Sequence, residues 1–151
     1  MIYDALLAYF HYASIFLLFA FLTVEAMLLR NPLDANGVRL IARVDLWYFA
    51  AAMLALLSGL LRLFMGAKGT AFYFGNPVFS IKVVLFLVIG VLSIWPTMQF
   101  LRWSRTLKTQ ANFLPSDEER RRARRQVMIE IHLAALLPLL AVLMARGIGY
   151  L

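Results

Sequence analysis

The sequence predicts an all-α fold, an integral membrane bundle of four helices. Three observations predict it. The 151-residue chain is 63% hydrophobic, with mean hydropathy +0.79, whereas a soluble domain of this size is nearer half apolar. Four apolar runs occupy residues 5–29, 44–65, 79–101 and 127–145. At about 1.5 Å per residue each is long enough to cross a hydrocarbon core of roughly 30 Å or most of it. Finally, the net charge of +7 comes from basic residues crowded between those runs. That is a topology signal of membrane proteins, and it argues against nucleic acid as a partner. One domain is expected. The absence of cysteine excludes disulfides, iron–sulfur clusters and thiolate metal sites, leaving His11 and His132 as the strong nitrogen ligands.

The first run carries His11 and Glu25. At roughly 100° per residue the two fall within about 40° of each other around a helix, so one face carries an imidazole near one surface and a carboxylate near the other. Ionisable groups at such depth usually face the protein interior or a water-filled cavity. Asp4 is the only charge before His11. With no basic leading segment and no small-residue cleavage site, this run is expected to be retained and not removed as a signal peptide.

Residues 30–42 read as a connection, with Asn31-Pro32 as a helix stop and Asn36-Gly37 as a turn. The second run opens on Arg43, Asp45, Trp47 and Tyr48, an interfacial set, and continues to Ser58 and Gly59, which let another helix approach closely. Arg62 falls near its far end. Residues 66–78 read as a loop whose Phe72-Tyr73-Phe74 triplet belongs to an aromatic belt. The third run has Lys82 about a turn inside its start and Pro96 as a kink. In the long polar segment 102–125, Ser116 and Glu119 fit a capping box that starts a helix running into the fourth span, which holds Glu130, His132 and Pro138.

The first connection carries Arg30, Arg39 and Arg43, and the third carries Arg102, Arg105, Lys108 and five arginines between 120 and 125; the middle one offers Lys68. The positive-inside rule then puts both termini outside the cytoplasm, for a multi-pass protein of the bacterial inner membrane. The arginine run is expected to bind anionic lipid headgroups.

This orientation sorts the polar groups into two layers. The outer one holds His11, Arg62 and Lys82; the inner one holds Glu25, Arg43, Asp45, Arg102, Glu130 and His132. The outer layer suits haem b, with His11 on the iron, Arg62 and Lys82 on the propionates, and Tyr9, Tyr73 and phenylalanines around the ring. The second axial ligand is open, with Met53 or Met65 as candidates. The competing reading is that the two cations snorkel to headgroups while His11 hydrogen-bonds a neighbouring helix. In the inner layer, Glu25 is expected to pair with Arg43 or Arg102 and Glu130 with another arginine; a proton relay through Glu130 and His132 is the rival. Glu130 and His132 are two apart, about 200° around a helix, so they cannot share one face, which hints at a homo-oligomer. Two functions follow: a haem-binding redox protein acting on a porphyrin or quinone, or a non-catalytic accessory or assembly subunit or small-solute permease.

As a whole the chain resembles an uncharacterised family of predicted four-span bacterial membrane proteins. More distantly it resembles the HemJ-type protoporphyrinogen oxidases and their copper-resistance (CopD-like) relatives. The likeness is carried by AYFHYAS around His11, PVFSIKVVL around Lys82 and RRQVMIEIH around Glu130. It departs at Ile129, where the HemJ-type motif has asparagine, and at Leu18 and Glu25, where those proteins have a tryptophan and a basic residue. The resemblance implies a shared fold and a haem pocket at His11.

Overall fold

Apolar side chains at almost every position of the four runs dictate helices with no polar face, and the computed structural model, which describes residues 2–66 and 69–149, is built that way. Its helices are α1 (Ile2–Leu28), α2 (Ala35–Met65), α3 (Gly69–Phe74), α4 (Pro77–Thr109) and α5 (Asp117–Ala145). Among the described residues there is no strand. All but the short α3 are long and apolar enough to cross a membrane. In the bundle, α1 packs on α2 and α5, and α4 packs on α2 and α5. The order around the bundle is therefore α1, α2, α4, α5. Phe16, Val91 and Leu139 are among the large side chains left on the outside, as expected where the solvent is lipid.

The helices outrun the apolar runs. Asp34 caps α2, its carboxylate accepting from Gly37 N at 2.7 Å, so Asn36-Gly37 is the first turn of a helix and not a chain reversal. The expected capping box at Ser116 and Glu119 is present at the start of α5. Helix α4 passes through Pro96 and continues to Thr109, well beyond residue 101. These extensions build a second storey at one end, where Leu29, Leu33, Ile41, Phe100, Trp103 and Val127 are buried in one cluster. At the other end, Tyr73 is buried in a cluster with Leu63 and Met144, and is not in an exposed aromatic belt. Lys68, counted for the middle connection, lies outside the described residues.

Arg120 joins the storey to α1. Its guanidinium donates to the carbonyls of Leu29 (2.7 Å) and Arg30 (3.0 Å), just past the end of α1, and pairs with Asp117. Carbonyls at a helix C-terminus have no partner within the helix, and a buried cation there satisfies them and the end of the dipole. Arg120→Ala is expected to lower stability by about 3 kcal/mol, since charge-assisted hydrogen bonds are lost and buried carbonyls are left bare. Thermal unfolding in detergent checks this, with the exposed neighbour Arg121→Ala expected to change little.

Candidate functional site

Two polar clusters lie inside the bundle, about 21 Å apart along α1 at the helical rise. The first is built on His11, which is 8% exposed. Its Nδ1 lies 3.1 Å from the Ala55 carbonyl and 3.0 Å from Ser58 Oγ, both on α2. A carbonyl oxygen can only accept, so Nδ1 carries the proton. Ser58 donates its own hydrogen to Leu54 O at 2.6 Å, which leaves its oxygen to accept from the same Nδ1–H. The imidazole is thereby fixed in one tautomer, with its lone pair on Nε2. Gly59 makes the approach: a Cβ there would stand 3.2 Å from His11 Cε1.

Arg62 of α2 and Lys82 of α4 both lie close enough to His11 for their charges to act on the imidazole. Arg62 also sits over the Tyr12 ring, 5.3 Å from its centroid. The three residues assigned to the outer layer are thus brought together from three helices. Around them, Tyr9 is exposed and Tyr73 belongs to the separate cluster with Leu63 and Met144. Met53 and Met65, the candidate second ligands, are both exposed on the outside of α2, Met65 at 72%. Among the described residues no group of three His, Asp or Glu could hold a bare metal ion.

The second cluster is acidic. Glu25 (α1, 1% exposed), Asp45 (α2, 4%) and Glu130 (α5, 1%) are buried, and Glu25 lies within electrostatic range of both others. Thr97 of α4 donates to Asp45 Oδ1 at 2.8 Å, and Tyr48 reaches across the bundle diagonal towards Glu130 Oε2 at 3.4 Å. One oxygen each of Glu25 and Glu130 is buried with no hydrogen-bond partner.

The arginine pairs expected for Glu25 and Glu130 are therefore corrected. Arg102 instead forms an ion pair with Glu119, in the first turn of α5, and Arg43 is exposed. Glu130 lies eleven residues beyond Glu119, about 16 Å further along the helix, out of reach of that cation. His132 also stands apart: it is exposed, its Nδ1 donating to Met128 O at 2.6 Å, while Glu130 points inward. The sequence places Asp45 both in the interfacial set and in the inner layer, reads Tyr48 as interfacial alone, and gives no sign of Thr97. Their signal was the three-residue spacing of Asp45 and Tyr48, which puts both on one face of α2.

A bundle of four apolar helices with two polar clusters between them defines a polytopic membrane protein. The chain belongs to the family described as predicted membrane protein (DUF2214), whose model matches residues 3–149. Neither a curated protein nor a solved structure matches it.

Proposed function

We propose that this chain is a haem b-binding redox protein of the bacterial inner membrane, acting on a porphyrin or quinone, with His11 as the axial ligand. The observation that carries the reading is the His11 tautomer: Nδ1–H is tied to the Ala55 carbonyl and Ser58, which puts the ring's lone pair on Nε2. Metal-bound histidines characteristically donate their other ring N–H to a carbonyl or carboxylate, which fixes the ring and raises its basicity. Arg62 and Lys82 supply the cations that propionates require at a membrane edge. His11 would hold the iron and these two would orient the ring. When bound, haem supplies one-electron chemistry at an iron whose potential the axial imidazole helps set. The resemblance to HemJ-type oxidases adds to the reading through the stretches around His11, Lys82 and Glu130 alone.

A second reading has its own observation. The same Nδ1 hydrogen bonds make His11 a clamp between α1 and α2 that is satisfied without any ligand. The chain would then be a non-catalytic accessory or assembly subunit, or a small-solute permease. Haem retention separates the two. The chain produced with haem supplied and purified in detergent is expected to keep one b-type haem per chain; haem-free protein that remains folded favours the clamp.

The arginine-rich end is assigned to the cytoplasm by the positive-inside rule, with both termini outside. A groove of about 340 Å³ between α4 and α5, lined by Trp95, Arg122, Arg125, Gln126 and Ile129, suits an anionic lipid headgroup there. Reporter fusions in the 110–115 connection are expected to report a cytoplasmic site and fusions after residue 151 an external one. A cytoplasmic C-terminus would invert the assignment.

A further inference from the structure

All four spanning helices contribute to the acidic cluster, but not in the same way. Asp45 is held by the Thr97 hydroxyl, and Glu130 has the longer contact from Tyr48. Glu25 stands between helices with a buried oxygen that nothing meets, in range of both other carboxyls. A carboxyl removed from water is kept there by a cation, a metal ion, hydrogen bonds or a proton. The ion pairs of the described residues join Arg102 to Glu119, Arg120 to Asp117 and Arg122 to Glu118, none of them in the cluster. The described residues offer no three-ligand group for a metal ion. Hydrogen bonds account for Asp45 and in part for Glu130. Three uncompensated charges so placed would each carry a large desolvation cost. The proton is the counter-charge that remains.

We propose that Glu25, Asp45 and Glu130 form an exchangeable proton-binding site inside the bundle, with Glu25 as the group that takes up and releases the proton. The groups that face it are Asp45 and Tyr48 from α2, Thr97 from α4 and Glu130 from α5. The nearest cations along α5, Arg124 and Arg125, are more than a turn away. In the step itself the O–H bond of Glu25 breaks and the proton passes to a neighbouring carboxylate oxygen or to water; no electron moves. Asp45 and Glu130, held as acceptors by two hydroxyls, set where the proton rests. The site is independent of the haem reading.

Infrared spectroscopy of the haem-free chain in lipid at neutral pH tests it. A carboxylic-acid C=O band is expected that shifts in D2O, because the proton exchanges. It is lost entirely in Glu25→Gln, and shifted but retained in Glu130→Gln and Asp45→Asn. The other five acidic residues, Asp4, Asp34, Asp117, Glu118 and Glu119, lie near helix ends, away from the cluster. Should Glu25→Gln misfold, carboxyl-labelled glutamate in the Glu130→Gln chain, where Glu25 is the one glutamate left in the cluster, must move the band. No acid band in the wild type, a band that survives Glu25→Gln, or one abolished by adding sodium or potassium would each overturn the proposal, the last by making this a cation site.

Discussion

Replacing His11 by alanine is expected to remove haem from the chain altogether, while His132→Ala leaves it in place. With no cysteine in the chain, imidazole is the strongest ligand it offers to iron. Of the two imidazoles, one is buried with its lone pair on Nε2 and two cations from other helices in range; the other is exposed on α5 and bonded to its own backbone. Lys82→Met is expected to weaken haem retention without changing the band positions, because it removes a propionate partner and not the ligand. Reduced-minus-oxidised spectra of the three variants read all of this. Full haem in His11→Ala would end the assignment, and loss confined to His132→Ala would move the site to the opposite end of the bundle.

The largest loss of stability is expected from Trp103→Ala, on the order of 3–5 kcal/mol, the range for truncating a large buried aromatic. Trp103 is fully buried in the storey where α4 and α5 run past their apolar runs, with the Phe100 ring tilted against it at 5.6 Å between ring centroids. Its position matters as much as its size. At the level of the lipid tails, apolar burial gains little because the alternative is also hydrocarbon, whereas here the alternative is water or headgroups. Phe16→Ala, on the outside of α1, is expected to change little by comparison. Thermal unfolding in one detergent checks the pair. A Trp103→Ala chain as stable as the wild type would show that this end of the bundle is not a packed core.

Much of the fold was legible because lipid imposes its requirement in a few consecutive residues. Four runs gave four spans, and Ser116 with Glu119 marked where α5 begins. Hydropathy measures the apolar length, however, and not the helix. Helix α2 starts at Ala35, nine residues before its run, so Asp45 lies three turns inside a helix that hydropathy opens beside it. Leu46 and Trp47 do face outward, as an interfacial reading requires, while Asp45 and Tyr48 turn in. The layer with His11, Arg62 and Lys82 could be read because each is an ionisable group flanked by apolar residues at the same end of its run. In the inner layer Glu25, Asp45 and Glu130 could be placed at one depth but their partners could not be read, since charge balance suggested arginines. Which arginine faces which carboxylate depends on axial register between helices, and that register gave Arg102 to Glu119.

The measurement that bears most directly on the central claim is chemical rescue at position 11. His11→Gly removes the imidazole and leaves a space beside Gly59. Haem spectra are then recorded with and without added imidazole, alongside a check that the chain remains helical and monodisperse. No haem is expected in the variant alone, and the b-type spectrum returns when imidazole is supplied. Full haem in His11→Gly without imidazole, or a folded variant that imidazole cannot reload, would contradict that claim.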